Sequence, residues 1–273
     1  MKKIIVPVDF SEQSEFALKT AARLAAKYGS EILALHMLEL NQAILTSNES
    51  FHPEQTIFLI KLAEKKFNTF LDKPYLKGVI VTPIIKHYKV FNEINEVAKQ
   101  NDADLIIMGS HGADGLKEIF IGSNAERVVR SSNVPVMVIK EYLPEIVINR
   151  FVFACDFTEE NIAAYKKAKA FAELLDIEFE PVYINTPGDN FLSTLEAYKK
   201  INRFFGKAGT GVEMDIYNDY TVEKGIINFA EGTCADLIGI PTHGRKGLAH
   251  FFMGSIGEAV VNHSKLPVVT FKI

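Results

Sequence analysis

The first half of the chain alternates continuous apolar runs with segments in which apolar residues recur every three or four positions. The continuous runs are typical of strands buried on both faces of a sheet, and the periodic segments are typical of amphipathic helices. Predicted strands cover residues 3–8, 31–37, 78–85, 104–108 and 134–139. Predicted helices cover residues 12–28, a long segment that ends near residue 71, and residues 90–100 and 124–131. This alternation predicts a doubly wound parallel α/β sheet with right-handed crossovers.

The same pattern occurs twice along the chain. A shift of 132 positions aligns residues 103–138 with 235–270, and 17 of those 36 positions are identical. The first strand and helix of each half align at a shift of 147; because the two shifts differ by 15, the second copy is 15 residues shorter. A repeat of this length indicates two copies of one domain. We therefore predict a first domain at 1–140, a linker at 141–149 and a second domain at 150–273.

Composition places the chain among soluble globular proteins. Of its 273 residues, 48% are hydrophobic and 23% are charged, which suffices for a sizeable core. A net charge of −4 and a pI near 6.0 give no reason to expect binding to nucleic acid or to an anionic membrane. No apolar run is long enough to span a bilayer, and the N-terminus becomes acidic too early for a signal peptide. We therefore expect a cytoplasmic protein.

Cysteine and histidine usage predicts neither a disulfide framework nor a metal site. The two cysteines, Cys155 and Cys234, form no C-x-x-C pair and have no metal-ligand spacing. A reduced, buried pair fits a cytoplasmic protein best. The seven histidines are scattered along the chain, so a structural zinc site is not expected.

A glycine-rich segment, residues 109–123, follows the fourth predicted strand and precedes a predicted helix. Glycine lets the backbone approach a ligand closely, and a helix N-terminus offers N–H groups and a positive dipole end to an anion. This order favours a phosphate site, although the spacing Gly-x2-Gly-x9-Gly-Ser is neither a P-loop nor a dinucleotide fingerprint. Glycines at tight turns of a connecting loop are the simpler interpretation. Because most of the segment recurs in the second half, the phosphate site is favoured.

Three candidate features lie at the carboxyl ends of predicted strands. Asp9 ends the first strand, Met37 ends the second, and the loop that begins with Gly109 follows the fourth. In doubly wound sheets, ligands bind at the carboxyl ends of strands where the direction of winding reverses. The three features are therefore expected to share one pocket.

Three motifs carry a resemblance to a known family: Ile-Val-Pro-Val-Asp9-Phe-Ser, Ile-Met-Gly109-Ser-His-Gly112-x9-Gly122-Ser123, and Asn133-Val-Pro-Val-Met-Val. They resemble the universal stress protein family in its tandem two-domain form, and the full glycine pattern is the mark of the family's ATP-binding branch. The resemblance covers nearly the whole chain. It implies two tandem doubly wound five-stranded parallel sheets with helices on both faces, the Rossmann-like fold of adenine-nucleotide α-hydrolases. It also implies that the two copies pair through their last strands, and it leaves a homodimer open.

Position by position, the resemblance implies a ligand shell in the first domain. The Asp9 carboxylate would accept hydrogen bonds from ribose hydroxyls, and the main chain at Met37 would meet the adenine edge. The glycine loop and the start of the next helix would hold the phosphates through N–H groups and a hydroxyl. The implied cofactor-binding residues are Pro7, Val8, Asp9, Met37, Met108, Gly109, Gly112, Gly122, Ser123, Asn124 and Ala125.

These residues also have purely structural interpretations. Asp9 could cap the first turn of the helix that follows it. Met37, on an apolar strand, could belong to the core. Ser123 could be only a helix N-cap, or an N-cap and a ligand contact together.

Catalysis is not indicated by the sequence. Glu126 and its counterpart Glu258 each fall three residues after a serine, which favours a capping box over a general base. His111 and His243 have no carboxylate placed beside them by the sequence, so neither is assigned a catalytic role. Slow hydrolysis of bound ATP, with Mg²⁺ near Asp9, stays open but has no dedicated base.

The second domain departs from the pattern at Pro241, which stands at the position of Gly109. Proline lacks an N–H, fixes φ near −65° and places a ring where a phosphate would approach. Arg245 and Lys246 add positive charge that favours phosphate, but backbone geometry decides what can approach at all. A weaker second site is therefore expected, formed by Asp156, Ile184, Gly244, Gly254 and Ser255.

Together these features predict a cytoplasmic stress-response sensor or regulator that binds ATP, ADP or AMP in its N-terminal domain. The alternative is a dimeric scaffold that binds no nucleotide and acts through protein–protein contacts. An adenylating enzyme would need an S-G-G-x-D-S-like loop after the first strand, and a dinucleotide dehydrogenase would need G-x-G-x-x-G there. This chain has Val-Asp-Phe-Ser at that point, so both enzyme classes are set aside.

Overall fold

The computed structural model describes residues 1–38, 53–87, 90–110, 122–141, 147–188, 190–242 and 256–273. Its strands are β1 Lys3–Pro7, β2 Glu31–Leu38, β3 Ile80–His87, β4 Leu105–Gly109, β5 Val136–Ile139, β6 Arg150–Ala154, β7 Glu178–Asn185, β8 Asp215–Asn218, β9 Leu237–Thr242 and β10 Val268–Lys272. Its α-helices are α1 Glu12–Tyr28, α2 Pro53–Leu71, α3 Val90–Gln100, α4 Ser123–Ser131, α5 Ile162–Leu175, α6 Thr194–Ala208, α7 Val222–Gly232 and α8 Ile256–His263. Short 3-10 turns lie at Pro74–Leu76 and Glu159–Asn161.

Within the described residues, these strands join into one sheet of ten, in the order β3-β2-β1-β4-β5-β10-β9-β6-β7-β8. The strands of each half are parallel, as the alternation of apolar runs and helices predicts. At the centre, β5 and β10 pair antiparallel, with Met137 opposite Val269. The two five-stranded sheets are therefore continuous with each other rather than separate.

Helices cover both faces of the sheet. Helices α1, α2, α5 and α6 pack on one face, and α3, α4, α7 and α8 pack on the other. Strand β1 serves both layers, because Ile4 and Val6 contact the first group of helices and Ile5 contacts the second. A strand buried on both faces needs apolar residues at consecutive positions, which accounts for its unbroken run. Among the described helices, none combines the length and apolar character required to cross a membrane.

Helix α1 begins and ends where its cap residues predict. The Ser11 hydroxyl accepts a hydrogen bond from the Ser14 N–H at 3.2 Å, so Ser11 is the N-cap. Gly29 adopts φ 67, and its N–H donates to the Ala25 carbonyl, which ends the helix. In the second half, Asp176 ends α5 at the equivalent position with φ 51. The repeat is therefore preserved in backbone conformation as well as in sequence.

Two lysines at equivalent positions join the halves reciprocally. Lys140, after β5, donates from Nζ to the Ser264 carbonyl at 2.8 Å and to the Asn262 carbonyl, at the C-terminal end of α8. Lys272, at the end of β10, donates to the carbonyl of Ser131, the last residue of α4, at 3.1 Å. Cations at helix C-termini interact favourably with the last carbonyl groups and with the helix dipole. Each half therefore caps a helix of the other half.

The two cysteines differ in environment, and both are free thiols. Cys155 is buried, and this burial raises the pKa of its thiol. Cys234 is exposed and adopts a left-handed φ of 54 in the turn that follows α7. The expectation of a buried pair is wrong for Cys234, because that turn lies at the surface.

Candidate functional site

The winding of the N-terminal half reverses between β1 and β4. These strands are neighbours, with Ile4 opposite Leu105 and Ile5 opposite Ile106. Strand β1 continues into α1 on one face of the sheet, whereas the helix that follows β4, α4, packs on the other face. Connections that leave in opposite directions open a crevice at the carboxyl ends of the two strands, where doubly wound folds bind ligands. The candidate site lies at this crevice.

Asp9 lies exposed shortly after β1, at the mouth of the crevice. Its Oδ1 accepts hydrogen bonds from the Ser11 main-chain N–H at 3.0 Å and from the Ser11 hydroxyl at 2.5 Å. Between these residues, Phe10 adopts φ 67 and turns the chain from strand to helix. Asp9 therefore makes the Asx-type turn that the sequence left open, whereas the cap of α1 itself is Ser11. A carboxylate has acceptor capacity for several hydrogen bonds, so this role is compatible with binding a ligand hydroxyl.

Gly109 ends β4 and lies against the first turn of α1. A Cβ atom at this position would be 2.8 Å from the backbone carbonyl carbon and oxygen of Gln13. Carbon atoms in favourable contact are about 3.5–4.0 Å apart, so only glycine lets α1 pack this closely on β4. The sequence assigns Gly109 to ligand approach, and the structure adds a packing role that does not depend on any ligand.

The first turn of α4 is held against the end of β4. The Gly122 N–H donates to the Ser110 carbonyl at 2.6 Å. Ser123 and Asn124 are exposed in this turn, whereas the Ala125 side chain is buried in the core. Ala125 would therefore reach a ligand through its main chain alone. Because β1 and β4 are adjacent and parallel, this turn and Asp9 lie at the same end of the sheet.

Helix α4 begins one residue earlier than the sequence predicts. Gly122 is its N-cap, and no side chain of the described residues caps it. Ser123 is therefore the first helical residue, and its interpretation as the N-cap is wrong. Glu126 consequently falls one position beyond the capping box, and its carboxylate pairs with Arg130 at 2.8 Å instead. Ser255, the counterpart of Ser123, lies outside the described residues.

The remaining candidate residues at the strand ends belong mainly to the core. Val8, Met37 and Met108 are buried, and Pro7 is half-buried. The side chain of Met37 lies in the layer covered by α3 and α4, so its interpretation as a core residue is confirmed. Any ligand contact at Met37 would involve the main chain. Gly112 lies outside the described residues.

The sequence patterns did not identify His36, which contacts the end of β1. Its Nδ1 lies 2.7 Å from the Val8 carbonyl oxygen, and its ring centroid lies 4.5 Å from that of Phe10. His36 directly precedes Met37 near the end of β2. A histidine in an otherwise apolar strand, beside a predicted ligand contact, is the signal that could have identified it.

The equivalent end of the second half repeats the turn that Asp9 makes with Ser11, and an amide side chain also donates to the aspartate there. The Asp156 Oδ1 accepts from the Thr158 N–H at 3.0 Å, from the Thr158 hydroxyl at 2.8 Å and from the Asn161 side-chain amide. Ile184, the counterpart of Met37, is buried in the core. Three residues of the expected second site lie outside the described residues: Gly244, Gly254 and Ser255.

Pro241 lies inside β9, at the position that Gly109 has in β4. The helix that faces it starts differently from α1. A 3-10 turn at Glu159–Asn161 precedes α5, which begins at Ile162, whereas α1 is α-helical from Glu12, the counterpart of Glu159. In the first half, Gly109 packs closely against an α-helical first turn. In the second half, Pro241 stands opposite a helix that begins with a 3-10 turn.

Within the described residues, no group of three or more His, Cys, Asp or Glu side chains is arranged to hold a metal ion. Asp9 supplies one carboxylate at the candidate site. Mg²⁺ is commonly bound by one or two carboxylates together with substrate phosphates. A magnesium ion at Asp9 would therefore need the phosphates of a ligand as further oxygen donors.

A sequence model of the universal stress protein family matches the chain twice, at residues 1–140 and 148–272. The chain belongs to the universal stress protein family. The double match agrees with the internal repeat, and it confirms the resemblance that the sequence motifs indicated.

Relatives and solved structures extend this result. Universal stress protein MJ0577 of Methanocaldococcus jannaschii is 33% identical over 153 residues, which cover 51% of this chain and 94% of that protein. Universal stress protein Slr1230 of Synechocystis is 22% identical over 291 residues and is matched along 100% of both chains. The crystal structure of a universal stress protein from Archaeoglobus fulgidus matches with a TM-score of 0.68 and 24% identity, covering 99% of this chain and 96% of that chain. This last comparison supports the fold.

Proposed function

We propose that the N-terminal half binds ATP or a related adenine nucleotide, ADP or AMP, and that the protein is a cytoplasmic stress-response sensor or regulator. One observation carries the proposal: the exposed Asp9 and the first turn of α4 lie at the same end of the adjacent strands β1 and β4. Asp9 offers an acceptor to ribose hydroxyls. The helix turn offers N–H groups and the positive end of a dipole to phosphates.

The other residues of the shell have roles that follow from their positions. The main chain at Met37, near the end of β2, would contact the adenine edge. Pro7 and Val8 would line the ribose side, and Met108, Gly109 and Gly112 would line the phosphate side. Three residues would supply N–H groups and a hydroxyl to the phosphates: Ser123, Asn124 and Ala125. Gly122, which the sequence also assigns to this role, would contact the phosphates without its N–H, because that group donates to the Ser110 carbonyl.

The first half is a better candidate than the second. In the second half, Asp156 is half-buried, whereas Asp9 in the first half is exposed. Pro241 also removes an N–H and adds a ring where Gly109 stands in the first half. We therefore propose the second site, with Asp156 and Ile184, as the weaker one.

Nucleotide release and thermal stability test this proposal directly. Purified protein is denatured and the released small molecules are chromatographed; thermal unfolding is then measured with ATP, ADP and AMP. A nucleotide at a hundredfold excess over Kd is expected to raise the free energy of unfolding by about 2.7 kcal/mol. Neither release nor a shift with any of the three would contradict the proposal.

A proline at Ser123 tests the helix N-terminus as the phosphate site. Gly122 has φ −59 and ψ 146, which suits a residue before proline, and Ser123 is the first helical position, where proline is well tolerated. The variant Ser123→Pro removes one N–H and the hydroxyl while leaving the helix intact, so ATP affinity is expected to fall at least about tenfold. Unchanged affinity would remove α4 from the proposed site.

Thr194→Pro is the matched control for this variant. Thr194 is likewise the first residue of a helix, α6, and Ser193 before it has φ −59 and ψ 156. This helix belongs to the second half, so ATP affinity is expected to stay unchanged. A loss of affinity in both variants would indicate a general effect of the proline rather than loss of a phosphate contact.

An exposed apolar surface favours a second candidate function, a scaffold that acts through protein–protein contacts. Phe191, Leu195 and Tyr198, in α6 and just before it, are 54%, 65% and 48% exposed. Solvent-exposed apolar residues that adjoin one another are typical of interaction surfaces. Sedimentation velocity of the wild type and of Leu195→Glu tests this candidate: association that Leu195→Glu abolishes supports it, and a wild type that stays monomeric counts against a homodimer.

A further inference from the structure

The main chain of Val8 is bound at both of its polar atoms by β2. The Val8 N–H donates to the Leu35 carbonyl at 2.8 Å, and the His36 Nδ1 lies 2.7 Å from the Val8 carbonyl oxygen. A carbonyl oxygen only accepts hydrogen bonds, so Nδ1 must carry the hydrogen, in the neutral ring and in the imidazolium alike. His36 therefore restrains the peptide group that joins Val8 to Asp9.

The same imidazole packs against the residue on the other side of Asp9. The rings of His36 and Phe10 are 4.5 Å apart, and Phe67 and Phe70 of α2 pack edge-on against Phe10 at 5.2 and 5.5 Å. A bulky residue at φ 67 persists only where its surroundings hold it. His36 thus contacts both neighbours of Asp9, one through a hydrogen bond and one through ring packing.

The second half keeps the left-handed turn, with Phe157 at φ 53, but packs it against a tyrosine instead of a histidine. Tyr183 occupies the position of His36, and its ring lies 6.4 Å from that of Phe157, the counterpart of Phe10. The main-chain bond is retained, because the Cys155 N–H donates to the Val182 carbonyl at 3.3 Å. Within the described residues, no side chain donates to the Cys155 carbonyl as His36 does to that of Val8.

We propose that His36 is the positioning residue of the N-terminal nucleotide site, a proposal that rests on the proposed function. By holding Val8 and Phe10, the imidazole sets the direction of the Asp9 carboxylate before a nucleotide arrives. A preorganised acceptor binds more tightly because less order is lost on binding. Asp9 contacts the nucleotide, and His36 acts through it.

Replacing the imidazole by a ring that lacks Nδ1 tests the hydrogen bond to the Val8 carbonyl separately from the ring packing. Among the described residues, the charged side chains near the cluster include Lys66, 5.5 Å from the centroid of the Phe10 ring, and Asp9. In β3, the neighbour of His36 is the uncharged Ile85. Comparison with a variant that retains these groups isolates the contribution of His36.

The test compares the wild type with His36→Phe, which keeps a ring in the cluster and removes Nδ1. Isothermal titration with ATP is expected to give a Kd for the variant about fivefold weaker than that of the wild type. Tyr183→Phe, the equivalent change in the second half, is the matched control and is expected to leave Kd unchanged. A Kd of His36→Phe equal to that of the wild type would overturn the proposal.

A second measurement needs no nucleotide. Amide hydrogen exchange of the nucleotide-free protein is expected to be about fivefold faster at Ser11 in His36→Phe, because the Ser11 N–H is bound to the Asp9 carboxylate. Unchanged exchange would overturn the role of His36 even if ATP binds. If the wild type binds no nucleotide, the proposed function fails while this result still decides whether His36 positions Asp9.

A third measurement applies if His36→Phe does not fold. Nitrogen-15 NMR of the wild-type imidazole is expected to show Nδ1 protonated at neutral pH, as the contact with the Val8 carbonyl requires. A neutral ring protonated at Nε2 instead would overturn the proposal.

Discussion

The two halves of the chain share a fold but differ where β1 and β6 lead into their helices. In the first half, Gly109 lets α1 pack closely on β4, and Asp9 lies exposed at the mouth. In the second half, Pro241 takes the place of Gly109, and Asp156 is half-buried and engaged by three donors. The core of each half lies below this mouth. The turns between strand and helix can therefore differ between the halves while the sheet is conserved.

The cores show the opposite behaviour, because their differences compensate one another. Ile4 and Ile107 of the first half correspond to Phe151 and Gly239 of the second. A Cβ atom at Gly239 would lie 2.4 Å from the Phe151 ring, so the larger residue in β6 requires the smallest one in β9. Core exchanges that conserve volume are tolerated best. Packing thus restricts how the core diverges, whereas the mouth has diverged without such compensation.

The largest expected effect comes from giving the first half a side chain at the position where the second has proline. Gly109→Ala is expected to lower the free energy of unfolding by about 3 kcal/mol, because its Cβ would overlap the backbone of Gln13. Urea denaturation measures this loss. Gly206→Ala is the control, since a Cβ there meets no atom within 4 Å, and it is expected to stabilise the protein by about 0.5–1 kcal/mol. Equal effects at both positions would disprove the close packing of α1.

The next effect compares the two lysines that join the halves. Lys140→Met is expected to cost about 2 kcal/mol, because it removes a cation that bonds two carbonyl groups at the end of α8. Lys272→Met is expected to cost about 1 kcal/mol, since Lys272 bonds one carbonyl group at the end of α4. Chemical denaturation of both variants measures the difference. A larger loss of stability in Lys272→Met than in Lys140→Met would show that the number of carbonyl groups bonded does not determine the contribution of each lysine.

A smaller effect concerns the two aspartates. Asp9→Asn keeps an acceptor for the Ser11 N–H but removes the charge, so ATP affinity is expected to fall about tenfold through weaker bonds to the ribose hydroxyls. Asp156→Asn is the control and is expected to leave the affinity unchanged. Titration calorimetry measures both. If Asp156→Asn has the larger effect, the second half contains the principal site.

The smallest effect concerns a core position that differs between the halves. Tyr165 of the second half corresponds to Leu18 of the first, and its buried hydroxyl has no hydrogen-bond partner within the described residues. Tyr165→Phe is therefore expected to stabilise the protein by about 0.5–1 kcal/mol at neutral pH. A loss of stability would show that the hydroxyl has a favourable interaction.

The pH dependence of this variant provides a second check. Burial raises the pKa of Tyr165 to about 12 from 10.0. Between these values the unfolded chain has lost the phenolic proton that the folded chain retains, so the stability of the wild type falls as the pH rises. Phenylalanine has no such proton. The advantage of Tyr165→Phe, measured by denaturation at several alkaline pH values, is therefore expected to grow across this window.

The sequence predicted those parts of the fold that depend on local patterns. The bounds of α1 followed from Ser11 and Gly29, and the doubly wound order followed from the alternation of strands and helices. The first residue of α4 was misplaced by one position, because Gly122 and Ser123 are both acceptable N-caps. The seam between β5 and β10 unites strands that are distant in the chain, and no local pattern specifies how such strands continue one another.

The candidate site was predictable only where its residues lie beside elements that local sequence patterns define. Asp9 and the start of α4 stand beside recognisable strand and helix ends, so their positions followed from the pattern. The contact of His36 with Val8 depends on two neighbouring strands and was not predictable from either one. The packing role of Gly109 depends on how closely α1 approaches β4, a distance that sequence patterns do not contain.

Because β5 and β10 pair antiparallel, the carboxyl ends of the strands in one half lie at the opposite edge of the sheet from those in the other half. Since every strand within a half runs the same way and the halves run oppositely, Asp9 and Asp156 open onto opposite rims of one slab. The two aspartates would therefore face different ligands. The connections between the halves include the paired strands β5 and β10 together with side-chain contacts such as those of Lys140 and Lys272.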